Sequence, residues 1–180
     1  HIIVDEAIDF IKKKKDDGQP LFIVIWFGSP HAPWRSFEED NKAFSHLDEA
    51  SQNHYAELAS MDRSIGKLRN NLRDQGVADN TLVWFNSDNG GLPNFGPETV
   101  GCLRKFKGSV YEGGLRVPCI IEWPAEIKTS RITNYPSATM DILPTIADIV
   151  GLDNSNMVSP VDGVSIKRLF KKELQTRKKP

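Results

Sequence analysis

The stretch Asn80-Thr-Leu-Val-Trp-Phe-Asn-Ser-Asp-Asn-Gly-Gly91 decides how this chain is read. Thr81 to Phe85 is an apolar run with the composition of a strand, and it delivers Asp88 and Asn89 into a glycine turn. Two hard oxygen ligands then stand at the carboxyl end of a buried strand, where open α/β sheets place their chemistry. Upstream, Ser29-Pro-His-Ala-Pro33 follows a second apolar run, Leu21 to Phe27. Downstream lies a second glycine-rich segment, Lys105-Phe-Lys-Gly-Ser-Val-Tyr-Glu-Gly-Gly-Leu-Arg-Val-Pro118. Three polar loops on three strand ends read as one site.

Helical and strand periods alternate around these loops. Ile3, Ala7, Phe10 and Ile11 recur at helical spacing, with acids early and Lys12 to Lys15 late, as the helix dipole favours. Gly18 and Pro20 stop that helix. Leu21 to Phe27 is apolar without alternation, which suits a strand covered on both faces, as in a parallel sheet. Residues 28 to 45 read as a loop. A long helix over roughly Asp48 to Gln75 carries the stripe Leu58, Met61, Ile65, Leu68 and Leu72, with Gly76 as its cap. Residues 88 to 116 form a long glycine-rich loop. Val117 to Trp123 is a further strand and Tyr135 to Thr139 a short one. Ile142 to Val150 is a helix stopped by Gly151, and Asp162 to Phe170 a last turn or short helix. The basic tail 171–180 is expected to fray. Helix leading into strand, repeated, predicts an α/β fold with a mostly parallel sheet flanked by helices.

The totals narrow the function. The chain has 180 residues, room for one domain with a real core or for a large part of a bigger one. Its 23 basic and 24 acidic residues leave a formal net charge of −1, which argues against a nucleic-acid partner. No apolar run approaches the ~20 residues of a membrane span. Cys102 and Cys119 make no disulfide framework and no metal-ligand spacing, and two free thiols are expected. The chain opens at His1, directly in a helical pattern, which reads as the middle or back of a longer protein.

The residue types suggest the chemistry. Asp88 and Asn89 suit Ca²⁺ or Mg²⁺ rather than a soft metal, but Ca²⁺ takes six to eight oxygens, so the remaining ligands must come from elsewhere. On that dipeptide alone an ordinary Asx turn is the commoner reading. His31, held between Pro30 and Pro33, is suited to general acid work or to contact with an anion. Lone loop histidines more often simply face water. His46 and His54 lack such framing and read as surface residues. Lys107 stands beside Gly108, with Gly113 and Gly114 following; glycines let a backbone approach an anion, and the ammonium supplies a point charge for a sulfate or phosphate oxygen. Lys105 is the alternative lysine, and sequence chemistry alone does not separate the two. Glu112 and Arg116 are expected to pair with each other.

In order along the chain, Pro30-His31-Ala32-Pro33, Tyr55, Met61-Asp62 with Gly66, Asp79-Asn80-Thr81-Leu82, Ser87-Asp88-Asn89-Gly90, Lys107-Gly108, Tyr111-Glu112-Gly113-Gly114, Arg116-Val117-Pro118, Asp141-Ile142-Leu143-Pro144-Thr145 and Asp162-Gly163 resemble the sulfatase family of the alkaline-phosphatase-like superfamily. The resemblance spans nearly the whole chain. A lone Ser-Asp-Asn-Gly would be a weak signal; several unrelated loops in order make a strong one. It implies an alkaline-phosphatase-like α/β fold, with Asp88 and Asn89 on a divalent cation, commonly Ca²⁺, and His31 and Lys107 on the sulfate of a sulfate ester. It also implies an exported protein (periplasmic, extracellular or lysosomal) and sulfated glycans as the leading substrate class.

One departure is large. Sulfatases use a formylglycine made from Cys or Ser in a Cys/Ser-x-Pro/Ala-x-Arg motif. Here Cys102 is followed by Leu-Arg-Lys and Cys119 by Ile-Ile-Glu. The expectation is therefore the carboxyl-side part of a catalytic domain, over residues 1–170. The nucleophile and the remaining metal ligands would lie in an N-terminal half outside this chain, and the chain alone would be without turnover. The rival readings are a phosphoester or phosphonate hydrolase of the same superfamily, and a non-catalytic module that binds sulfated glycans.

Overall fold

The computed structural model describes residues 2–95, 99–152, 158 and 160–177. They fall into two compact units: residues 1–81 with 89–117, and residues 82–88 with 118–180.

The first unit is helical. Helix α1 (Ile2–Lys14) buries Val4, Ala7, Ile8 and Ile11. Of the four residues read at helical spacing, Ala7 and Ile11 are buried, whereas Ile3 and Phe10 are 40% and 45% exposed. The four-residue helix α2 (Glu38–Asn41) leads through a short 3₁₀ turn to the long helix α3 (Glu49–Asp74). Asp48 caps α3 by accepting from the Ser51 N–H at 3.1 Å. Its end follows the Schellman pattern. Gly76 has φ 70°, and Val77 N–H returns to Leu72 O at 3.0 Å. The expected bounds of this helix therefore hold. Its buried face differs from expectation. Of the stripe read from sequence only Leu72 is fully buried, whereas Ser51, His54, Ala56, Glu57 and Ser64 are. Hydrophobic periodicity is blind to a helix face built from small and polar groups.

The second unit contains the sheet. Strands β1 (Val83–Asn86) and β2 (Cys119–Glu122) pair antiparallel, with Val83 opposite Glu122 and Asn86 opposite Cys119. The strand ahead of Asp88 is thus present, as is the one after Pro118. Leu21 to Phe27 and Tyr135 to Thr139 enter no β-ladder among the described residues. An apolar run does not make a strand by itself; it needs a neighbour about 4.8 Å away to take up its backbone groups. Phe22, Val24 and Trp26 stand 70%, 58% and 87% exposed on this run.

Helix α5 (Ile142–Val150) ends at Gly151, φ 72°, as expected. Just before it stands Asp141, with no exposed surface. Its carboxylate accepts from the N–H groups of Ala138 and Val164, at 2.9 and 2.8 Å, and from both Arg177 Nη atoms, at 2.7 and 2.8 Å. Thr145, also fully buried, donates to Asp141 O and accepts from Ile166 N–H. The fraying expected from Lys171 is therefore not what the described residues show. Lys171 pairs with Glu126, Glu173 accepts from Thr133, and Arg177 closes on Asp141. Lysine-rich composition signalled solvation, but a guanidinium is also the group best shaped for a buried carboxylate.

Candidate functional site

The loop Ser29–Pro33 is built around its prolines, with both the Ser29–Pro30 and the Ala32–Pro33 peptides cis. His31 sits between them. Its N–H donates to Gly28 O at 3.0 Å, and its Nδ1 lies 2.9 Å from Ala32 O. The imidazole is exposed, as a group that meets a ligand must be. The loop is tied down from beneath. Trp34 Nε1 donates to Pro30 O at 3.1 Å, and the Trp34 ring packs edge-on against Phe95, with centroids 4.9 Å apart. Phe95 belongs to the 3₁₀ turn Pro93–Phe95, only four residues beyond Gly91.

The two glycine-rich segments are laced together by backbone. Lys107 N–H donates to Gly91 O at 2.8 Å, Gly90 N–H to Gly114 O at 3.0 Å, and Gly113 N–H to Arg104 O at 2.8 Å. Side chains would not fit between them. A Cβ on Gly90 would lie 1.8 Å from Gly113 O, and one on Gly113 would lie 1.8 Å from Lys105 O. The glycines expected to permit close approach to an anion thus first serve close approach of the chain to itself. The Lys107 side chain is exposed at this junction. Next to it, the Arg104 guanidinium lies 3.9 Å over the Tyr111 ring. Lys105 takes a positive φ of 64°, which separates its backbone setting from that of Lys107. Glu112 and Arg116 pair as expected, at 3.6 Å across an exposed turn of α4 (Glu112–Leu115), a contact worth little.

His31, Asn89 and Lys107 belong to one unit; contacts tie Pro30 to Trp34, Trp34 to Phe95, and Gly91 to Lys107, and the short stretch 92–94 joins Gly91 to Phe95 along the chain. Asp88 ends the segment that carries β1 and belongs to the second unit; its side chain is exposed, and that of Asn89 is half-buried. Among the described residues no three His, Cys, Asp or Glu side chains gather as a metal cluster. Asp88 and Asn89 fit a hard divalent cation in kind but supply two oxygens of the six to eight that Ca²⁺ takes. Cys102 and Cys119 are both exposed and free. No helix among the described residues is long and apolar enough to cross a membrane.

Sequence reading placed His54 at the surface, and the structure corrects this. His54 is only 5% exposed, and its ring stacks on Phe95 with centroids 4.1 Å apart and planes 7° from parallel. Glu57, 7% exposed, accepts from Arg35 N–H at 2.6 Å, and Asn53 accepts from Ser36 N–H at 3.2 Å. A sequence signal was available: Ser51, His54, Glu57 and Ser64 keep helical spacing, but with polar residues.

The sulfatase family model matches residues 1–152. The chain belongs to the sulfatase family. A sulfatase of Formosa agariphila is 35% identical over 96% of this chain and 34% of its own length. Human N-acetylgalactosamine-6-sulfatase is 33% identical over 84% of the chain and 28% of its own. The chain thus spans about a third of the length of the curated sulfatases it matches. Among solved structures, Ps i-CgsB in complex with k-i-k-neocarrahexaose superposes with a TM-score of 0.85 at 30% identity, over 94% of this chain and 37% of that one. The fold is accordingly the alkaline-phosphatase-like α/β fold of sulfatases, of which this chain is a part. The antiparallel pair β1–β2 is the share of its sheet seen among the described residues.

Proposed function

We propose that the complete protein hydrolyses sulfate esters of glycans, and that this chain supplies its leaving-group and anion-binding loops. The observation that carries the reading is the set of contacts that, with the stretch 92–94, ties the His31, Asn89 and Lys107 loops within one unit. A sulfate ester is a tetrahedral anion whose bridging oxygen gains charge as the S–O bond breaks. Preorganised cationic and N–H groups are worth most where that charge develops. The Lys107 ammonium holds a non-bridging sulfate oxygen, and the His31 imidazole gives its proton to the departing alcohol. Asp88 and Asn89 would hold a Ca²⁺ or Mg²⁺ ion together with ligands from outside this chain, and its charge would neutralise the sulfate oxygens. Neither cysteine of this chain stands in a formylglycine motif, so the nucleophile is contributed by other parts of the protein and the chain alone has no turnover. Glycan sulfates are favoured because the human relative is named for a sulfated sugar and Ps i-CgsB was crystallised with a hexaose.

The test uses the complete polypeptide and an aryl sulfate. His31→Ala and Lys107→Ala should each lower kcat/KM by roughly 100-fold or more, the range for loss of a general acid or an oxyanion contact. Activity within twofold of wild type in both would reject the assignment, and faster turnover of the matching aryl phosphate would move the protein to the phosphoester branch. Asp88→Ala should raise the Ca²⁺ concentration needed for half-maximal activity by at least about tenfold, as expected for a lost ligand. An unchanged requirement in a calcium titration would remove Asp88 from the metal site.

A further inference from the structure

One peptide group sets where His31 points. It joins Pro30 to His31, and both of its ends are tied. The His31 N–H donates to Gly28 O at 3.0 Å, and the Pro30 carbonyl accepts from Trp34 Nε1 at 3.1 Å. A peptide group is planar, so holding it at both ends leaves the plane little freedom to rotate. The His31 Cα lies on the edge of that plane, and the imidazole projects from there. The ring's Nδ1 is turned back on Ala32 O at 2.9 Å. A carbonyl oxygen only accepts, so Nδ1 carries a proton and Nε2 is the nitrogen left to face a ligand. The far side of the loop is held as well. Glu57 on α3 accepts from Arg35 N–H at 2.6 Å, and Asn53 accepts from Ser36 N–H at 3.2 Å.

We propose that Trp34 is a positioning residue for His31: its indole N–H fixes the peptide plane from which the imidazole projects, and so the direction in which Nε2 meets the ester. The indole is suited to this because it is itself held. It packs edge-on against Phe95, with centroids 4.9 Å apart and planes at 81°. Phe95 is only 6% exposed and stacks in turn on the His54 ring of α3, with centroids 4.1 Å apart. The Pro30 carbonyl is thus referred, through two ring contacts, to the longest helix of the unit. Only His31, Ala32 and Pro33 separate that carbonyl from the residue that holds it. The indole therefore closes a small ring of chain that carries the imidazole. A shift of a reacting group by about 1 Å can cost about 100-fold in rate, so a bond that sets its direction matters to turnover.

The inference rests on His31 acting on the ester, and the experiment keeps the two ideas apart. The complete polypeptide is assayed as wild type, His31→Ala, Trp34→Phe and the double variant. Two substrates are compared, an aryl sulfate with a good leaving group and an alkyl sulfate with a poor one. Phenylalanine keeps a ring against Phe95 but has no N–H. Positioning predicts that Trp34→Phe keeps KM within about twofold and loses kcat on the alkyl sulfate by about 10- to 100-fold. The loss on the aryl sulfate should be smaller, because a poor leaving group depends most on the proton it is given. In the His31→Ala background the same change should cost less than about twofold, since Trp34 acts only through His31. A loss equal on both esters, or one that persists undiminished without His31, marks a purely structural role and overturns the proposal. Unchanged kcat in Trp34→Phe overturns it too. Should Trp34→Phe fail to fold, benzothienylalanine in place of Trp34 gives the deciding readout. It exchanges the N–H for sulfur within the same ring system, and unchanged kcat on the alkyl sulfate there overturns the proposal as well. Full activity of His31→Ala on the alkyl sulfate would instead sink the parent reading of the loop.

Discussion

Gly113→Ala should prevent the first unit from folding normally. The added Cβ would sit 1.8 Å from Lys105 O, 2.6 Å from Lys105 C and 2.8 Å from Arg104 O. All three are backbone atoms, so no side chain can swing aside, and the clash falls where Gly113 N–H bonds Arg104 O. Gly90 packs on the other side, with its own virtual Cβ 1.8 Å from Gly113 O. Relief on one side therefore tightens the other. Overpacking a yielding core costs about 1–3 kcal/mol, and an unyielding backbone sandwich should cost about 3 kcal/mol or more. Urea unfolding of the complete polypeptide measures it. Gly66→Ala is the matched control. It lies inside α3 with nothing within 4 Å of the new methyl, and it should stabilise by about 0.5–1 kcal/mol. If Gly113→Ala unfolded no more easily than Gly66→Ala, the lacing of the two loops would not be what orders them.

Asp141→Asn should destabilise the second unit by about 3–5 kcal/mol, the cost of stripping one partner from a buried ion pair. The amide offers one acceptor oxygen where the carboxylate takes four hydrogen bonds, and it leaves the Arg177 guanidinium, 10% exposed, without its counter-charge. Arg177→Met should cost a similar amount, and the double variant less than the sum, because the two act as one unit. The pH dependence has a definite sign. Burial pushes the Asp141 carboxyl upward, but the Arg177 fork and the Val164 and Ala138 N–H groups prevail and hold it below the ordinary carboxylate range. A carboxyl depressed by folding stabilises above its unfolded pKa, and that stability drains away as pH falls through the folded value. The gap in melting temperature between wild type and Asp141→Asn should therefore be full at neutral pH and shrink below about pH 4. A gap that stayed constant down to pH 3 would show that the carboxylate charge is not what holds Arg177.

The sequence made some elements plain and hid others for physical reasons. The bounds of α3 were legible because a capping Asp48 and a left-handed Gly76 are local devices, decided by neighbouring residues. β1 was legible because an apolar run ran straight into a turn. Leu21 to Phe27 looked equally like a strand, but laddering depends on a distant partner that composition does not reveal. His54 was hidden because burial of an imidazole requires an aromatic stack from Phe95, forty-one positions on, and hydropathy reads such a helix face as solvent-exposed. For the candidate site, His31 and Lys107 stood out through the prolines and glycines around them. Their connection through Trp34 and Phe95 is a tertiary fact with no local signature.

Arg177 also sets an order of events during synthesis. It is made thirty-six residues after the carboxylate it serves. Until it clears the ribosome, Asp141 has no guanidinium to justify leaving water, and α5 with its flanking turn lacks a neutralised centre to close upon. The second unit should accordingly mature only after translation has passed the basic segment that carries Arg177. A premature stop or a protease cut between Phe170 and Arg177 would strand it half-assembled.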